Sequence, residues 1–449
     1  MIESPVWGEN SRVRYETCPK ETIRADVAIV GGGVTGLSTA YHLLLRYPSL
    51  QVVVLEAGYV GSGASGRNTG MLGPGVGPDL LALIRRLGDV GAAALYRETL
   101  RAVKMVGDLV ATEHIDCELT FTGQIHWARS AAGRRRLSAQ ADWLNARGFC
   151  VELLNDNQLA KCIRLPPTPG NASSGPAALR LSTAGMLHPG KLVAGLARAA
   201  TDRNARIFEG SPVSALTRCA GFGRMCLALA SGGKVIADQV VLATAGYARN
   251  LGRLCRRIIP LQLQVLATEP IPRTLFANIG WAGREGVVEA RRIFNYFRLS
   301  SNNRLIFGGG KPRPCPAQCA NIESIPAYTL TDLQQKLFAT FPDLAREDLR
   351  ISHAWSGTIG YVLDGLPAIG RCSDAPNILH AVGWCGHGLA LGVAAGSWIT
   401  NLLARNDVVT GDSGLAWFRE NLPGLPCKPL HGLAVRATVA AMQLMDYIA

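Results

Sequence analysis

An apolar run, Val27-Ala28-Ile29-Val30, leads into Gly31-x-Gly33-x-x-Gly36, and a second run, Val52-Val53-Val54-Leu55, ends in Glu56. This pattern predicts a strand, a glycine turn, a helix and a second strand closed by an acid. Past the turn, Leu37, Ala40, Tyr41, Leu44 and Leu45 fall at i, i+3, i+4 spacing, which marks one helix face, and Pro48 ends it. The glycines have separate tasks. Gly31 permits a tight turn, Gly33 lets the backbone approach a pyrophosphate, and Gly36 lets helix and strand pack closely. The helix start at Val34 and Thr35 offers unpaired N–H groups and a positive dipole end to phosphates. Glu56 lies about 20 residues past Gly36, where a carboxylate bonds ribose hydroxyls. A glycine turn in an ordinary α/β unit is the competing reading. Strand, helix and acid together favour a site for the ADP part of FAD or NAD.

The chain has 449 residues, more than a single core usually serves, so two or more domains are expected. Its 50 glycines suit an α/β protein with many tight turns. The formal net charge is +13, a balance that can serve nucleic acid or an acidic membrane surface. The basic residues are scattered, however. Their densest run, Arg134-Arg135-Arg136, shares an expected helix with Leu137, Trp143 and Leu144, and reads as a solvated face. No clustered basic and aromatic patch points to nucleic acid as a partner. The excess positive charge also suits an anionic cofactor.

Twelve cysteines are dispersed along the chain, and only Cys315 and Cys319 fall close together. No second Cys or His pair completes a zinc site, so no metal is expected, and reduced thiols in the cytoplasm are the default. No secretory signal is visible, and no run of about 18 apolar residues predicts a membrane span. Leu433 to Ala449 reads as a docked helix, with a membrane-surface helix as the alternative.

Residues 58–78 are too dense in glycine and small polar residues for a regular element, and a loop this long is usually functional. Helices are predicted over 79–110 and 131–147, a hairpin over 118–128 around Thr122-Gly123, and a linker over 164–178. An α/β pattern returns with a helix over 190–203, strands over 206–218 and 224–230, and a buried strand, Val240 to Leu242, running into Ala243-Thr244-Ala245-Gly246. Residues 258–310 alternate as in an antiparallel sheet. Thr331-x-x-Gln334 offers a capping box for a helix. Residues 376–404 predict a strand, a glycine turn and a helix. The fold class is therefore α/β in its parts and α+β overall. A Rossmann-like nucleotide-binding domain is expected from 1–78, 175–257 and 350–405. An inserted antiparallel-sheet domain takes 79–174 and 258–349, and a tail takes 406–449.

Two further glycine-rich segments carry chemistry. In Gly61-Ser62-Gly63-Ala64-Ser65-Gly66-Arg67-Asn68-Thr69-Gly70 the small residues leave room for a large planar ligand, and Arg67 and Asn68 supply polar contacts. A flexible surface loop is the competing reading. Gly383-Trp384-Cys385-Gly386-His387-Gly388-Leu389-Ala390 follows a strand and opens a helix, so its N–H groups can face an anionic ring region. His387 is a candidate catalytic group and equally a packed loop histidine. No second Gly-x-Gly-x-x-Gly follows a strand, as it would in a flavoprotein fed by NADPH, so the electrons come from the substrate. The cofactor reading moves from NAD to FAD.

Several motifs add to these sites: Gly63-Ala64-Ser65-Gly66-Arg67-Asn68; Phe294-Asn295-Tyr296-Phe297-Arg298-Leu299-Ser300 with Arg304-Leu305-Ile306-Phe307-Gly308-Gly309; and Trp355-Ser356-Gly357-Thr358 with Asp364-Gly365-Leu366-Pro367. With Ile259-Pro260 and Ala267-Thr268-Glu269-Pro270 they span about residues 24 to 405. Through them the chain resembles the FAD-dependent amine and amino-acid oxidoreductases of the D-amino-acid oxidase type, and most closely their γ-glutamylputrescine oxidoreductase branch. The resemblance implies an FAD-binding domain and a substrate domain, with FAD held non-covalently at their junction. It adds Ala57, Val213, Ala245, Gly246 and Gly357 to the expected cofactor contacts, beside Gly383, Gly386, Gly388 and Leu389.

The implied reaction oxidises a C–N bond of a small amine. Hydride passes to flavin N5, the imine hydrolyses, and molecular oxygen takes the electrons as hydrogen peroxide. A dehydrogenase feeding a quinone or protein carrier, with peripheral membrane contact, is the alternative. Two departures narrow the substrate. Leu389-Ala390 stands where sarcosine oxidases carry a carboxylate-binding lysine, and the position of their flavin-linking cysteine falls near Gly357. Tyr296 and Arg298 are candidates to face substrate, against a reading in which Tyr296 packs the sheet and Arg298 forms a surface ion pair.

Overall fold

A computed structural model of the protein describes residues 1–8, 13–77, 79–167, 175–219, 223–247, 251, 257–315, 325–404 and 415–424. Two eight-stranded sheets organise it. The first has the order Ala368–Cys372, Ala375–Val382, Lys234–Leu242, Thr22–Val30, Val52–Leu55 and Arg206–Phe208. From Ala375–Val382 to Arg206–Phe208 its pairings are parallel. Two more strands, Val213–Arg218 and Met225–Leu229, branch off Lys234–Leu242 in antiparallel sense. The central strands are almost wholly apolar because helices cover them, as parallel sheets require.

Helices Val34–Arg46 and Gly388–Ala404 lie against each other over the first sheet. The second is apolar on nearly every face, which is the mark of a buried helix. Small residues set how close the pair comes. A Cβ at Gly396 would run into Ser38, and one at Gly392 would fall 2.8 Å from Thr35 Oγ1. Ser38 Oγ also donates to the Val393 carbonyl at 2.5 Å. This close packing brings both helix N-termini to one end of the sheet, at Val34 and at Gly388.

The second sheet runs Ile351–Tyr361, Ile259–Pro270, Arg304–Pro314, Tyr296–Leu299, Gly286–Glu289, Gln124–Trp127, Ala178–Leu181 and Glu152–Leu154. All its pairings are antiparallel except Gly286–Glu289 with Gln124–Trp127. Period-two alternation splits its side chains. Ile125, Trp127, Val287, Phe297 and Phe307 enter a core with Trp281 and Phe341. Gln124, His126, Val288 and Tyr296 face the other way, into a cavity.

Several expectations need correction. Strands Ala178–Leu181 and Ile351–Tyr361, expected with the nucleotide-binding part, pair into the second sheet because their partners there are edges left open by Gln124–Trp127 and Ile259–Pro270. No hairpin forms around Thr122-Gly123. Gln124–Trp127 pairs with distant strands, and Thr120 bridges to Met186. The helix near Thr331 begins earlier, at Ala327 after Pro326, so the Thr331 hydroxyl bonds back to the Ala327 carbonyl rather than capping. Within the glycine-rich loop, Ala64–Arg67 forms one helical turn and Met71–Leu72 a short strand. Leu45 leaves the predicted apolar stripe and is exposed. Residues 168–174 of the linker, Cys319 and the C-terminal segment lie outside the described residues.

Candidate active site

The cavity, of about 290 Å³, lies between the two sheets. One end is built by the helix starts. Val34 and Thr35, with Gly388, Leu389 and Ala390, line it together. Two helix N-termini thus converge where an anionic ligand would be held. Ser65, Arg67 and Asn68 form one flank, and Ala245, Gly357 and Gly360 another.

The glycine turn carries the packing its sequence predicts. Gly31 has φ +114, and a Cβ there would lie 2.6 Å from the Ala243 carbonyl oxygen. A Cβ at Gly36 would strike the Gly31 carbonyl, so these two glycines serve the turn and do not reach the cavity. Gly33 does reach it, with its Cβ position 2.7 Å from Ser65 Oγ. That hydroxyl accepts the Val34 N–H at 3.0 Å and so caps the helix from the neighbouring loop. Glu56 braces the same region. It accepts from Gly32 N at 2.7 Å and Gly58 N at 2.8 Å, and from the Ser62 hydroxyl at 3.2 Å. Burial pushes its carboxyl up against the pull of those bonds.

Other predicted contacts fall around the cavity rather than on it. Ala57 is exposed beside Glu56, and Val213 opens a strand on the antiparallel branch of the first sheet. Gly66 closes a turn by donating to the Gly61 carbonyl at 3.0 Å. Gly246 packs on Ile359, and Gly383, at φ +80, packs on Val362. Gly386 and His387 line the cavity. The His387 ring sits beneath Gly75, its pKa is lowered by burial, and its Nδ1 is buried with no hydrogen-bond partner.

The two sheet candidates part company. Tyr296 lines the cavity, its ring covering Gly308, and burial pushes its hydroxyl up to about 12. Arg298, on the same strand face, does not reach the cavity. It is buried, donates to the Gly70 carbonyl at 3.1 Å and the Leu187 carbonyl at 2.8 Å, and lies over the Trp7 ring. Neither the substrate-facing role nor the surface ion pair describes it. It is an internal clamp.

Sequence reasoning missed Gln124, His126, Leu263, Val265 and Val288, all of which line the cavity. The signal was the alternation Gln124-Ile125-His126-Trp127, which places two polar side chains on one sheet face. Register makes a continuous row of that face, because Val288 pairs with both His126 and Tyr296, and Gly308 pairs with both Tyr296 and Val265. Burial, and then the neighbouring His387, hold the His126 imidazole down to about 4, so it is neutral at neutral pH.

The residues fit a flavin dinucleotide. Two helix starts would serve its phosphates and the electron-rich side of its ring, and the small residues leave space for the plane. No group of three or more His, Cys, Asp or Glu side chains gathers to hold a metal among the described residues. No described helix is long and apolar enough to cross a membrane.

Comparison with known proteins agrees with this geometry. The sequence model of the FAD dependent oxidoreductase family, DAO, matches residues 26–402. The chain is 28% identical over 409 residues to the gamma-glutamylputrescine oxidoreductase of Escherichia coli, covering 90% of this chain and 88% of the relative. It is 28% identical over 393 residues to a probable oxidoreductase, OrdL, of Haemophilus influenzae, covering 85% and 84%. Glycine oxidase from Geobacillus kaustophilus shares the fold, with a TM-score of 0.71 at 23% identity over 88% of this chain and 99% of that one.

Proposed function

The chain belongs to the FAD dependent oxidoreductase family, and from that premise we propose that it oxidises a C–N bond in an amine or amino-acid derivative. One observation carries the reading: a single cavity joins the two helix N-termini at Val34 and Gly388 to the row His126, Val288, Tyr296 of the second sheet. Gly33, Ser65, Arg67 and the Gly386–Leu389 turn would hold FAD without a covalent link, and Glu56 would meet its ribose. When bound, FAD supplies the two-electron acceptor, and oxygen receives those electrons as hydrogen peroxide.

The chain's own residues do the rest by placement. The sheet row forms a wall against which the amine lies. Leu263, Val265 and Val288 keep water from the reacting carbon. No Asp or Glu lines the cavity among the described residues, so a cationic ammonium finds no counter-charge and the neutral amine is the form accommodated. The imine so produced hydrolyses to a carbonyl compound and a smaller amine.

Peroxide yield tests the proposal. Reconstituted protein given an amine panel in air should release one peroxide per carbonyl formed. Turnover without peroxide, restored by a quinone-type acceptor, would assign the dehydrogenase alternative. No turnover with any amine would remove the reading.

A further inference from the structure

Resting on that reading, we propose that His126 is the specificity-determining residue that receives the substrate nitrogen as a neutral amine, so that the enzyme selects amines with no anionic group beside the reacting carbon. The register supplies the geometry. His126 and Tyr296 flank Val288 in one row across adjacent strands. At roughly 4.8 Å between strands, they stand about 10 Å apart on the same face. A nitrogen held at His126 leaves the rest of an alkyl substrate lying over Val288 toward Tyr296 and Phe294, whose rings are 5.9 Å apart.

Four other polar groups of the cavity are less suited. Cys385 donates its thiol to the Gly383 carbonyl at 3.2 Å, and burial pushes it up to about 12. Tyr296 is held protonated in the same way. The His387 Nδ1 is sealed from the cavity solvent in the turn before the Gly388 helix. Arg67 is the one Lys or Arg among the described lining residues; it is buried and donates Nε to the Ser356 carbonyl at 2.9 Å. No hydrogen bond to a described residue holds the His126 ring, which lines the cavity. Its neutral imidazole can accept an amine N–H on one nitrogen. A substrate carboxylate near the reacting carbon meets Leu389 and Ala390 instead of a lysine.

Two ligands that cannot be oxidised test this on the FAD-loaded protein across a pH series, with amine affinity expressed per neutral amine: tert-butylamine, and pivalate as its carboxylate counterpart of the same shape. Binding is read from the perturbed flavin spectrum, for wild type, His126→Gln and His126→Leu, with FAD content and melting temperature checked for each. The amine should bind wild type and His126→Gln within about threefold, and His126→Leu about tenfold more weakly, the loss expected for one buried hydrogen bond. Pivalate should bind wild type at least about tenfold more weakly than the amine. Should the leucine variant lose FAD, His126→Phe takes its place. Amine binding that survives in His126→Leu or its His126→Phe substitute, amine that does not bind wild type, or pivalate that binds as tightly as the amine would each overturn the proposal. Bleaching of wild-type flavin by an oxidisable amine is measured separately, so failure here is distinct from failure of the functional reading.

Discussion

Glu56 Oε2 accepts the Gly32 N–H at 2.7 Å, tying the end of one parallel strand to the glycine turn that follows its neighbour. Its other oxygen holds Gly58 and Ser62, so one carboxylate fixes both loops that surround the nucleotide end of the site. Replacing it with leucine removes three accepted hydrogen bonds near the charge they serve. Glu56→Leu should weaken FAD binding by about tenfold or more, since bonds to a charged group contribute about 1.5–3 kcal/mol each. Fluorescence titration of the apoprotein measures this, and an unchanged dissociation constant would show that Glu56 does not support the cofactor.

A methyl group at residue 36 has nowhere to go, because its position coincides with the Gly31 carbonyl. Overpacking of this kind costs about 1–3 kcal/mol or more. Gly36→Ala should lower the melting temperature by about 1–3 °C, at roughly 1 °C per kcal/mol for a chain of this size, and should reduce the FAD retained on purification. A normal melt with full FAD content would refute the close-packing account.

Arg298 joins the Gly70 and Leu187 carbonyls from outside the cavity. Arg298→Met leaves those buried acceptors without a donor, a loss of about 1–3 kcal/mol. The expected result is a lower melting temperature with an amine KM within about twofold of wild type. A large rise in KM at unchanged stability would return Arg298 to the substrate side.

Much of the nucleotide end was legible because it depends on local patterns. Gly31 to Gly36, Glu56 and the Gly383–Gly388 turn each announce themselves within a few residues, and each forms the turn or strand end that its pattern predicts. The substrate wall was not. His126 and Tyr296 become neighbours of Val288 only through a parallel pairing between strands more than 150 residues apart in sequence, and no local spacing encodes that. Arg298 shows the converse. It sits two residues from Tyr296, and strand alternation sends the pair to the same face, yet Arg298 ends on main-chain carbonyls at the loop by Gly70. The strand alone does not reveal which part of a face opens into a cavity and which is covered by a loop.

His380 gives the structure a pH dependence away from the cavity. Its ring is fully buried, with Nε2 3.0 Å from the Arg419 carbonyl, and burial holds its pKa down to about 4. The unfolded chain takes up this proton at about 6.5. Between those values the unfolded state binds more protons, so stability is fully present above about 6.5 and falls as pH drops toward about 4, by up to about 1.4 kcal/mol per pH unit for this group. Melting curves across that range should show the fall, with a shallower slope in His380→Gln. Equal slopes would mean that His380 does not carry the effect.

The central claim is that bound FAD is reduced by an amine in this cavity. Anaerobic mixing of the FAD-loaded protein with a panel of primary and secondary amines, followed at the oxidised flavin band near about 450 nm, tests it most directly. At least one neutral-chain amine should bleach the band without any nicotinamide present. A protein that takes up no FAD, or whose flavin is reduced only by a nicotinamide and by no amine, would contradict the account.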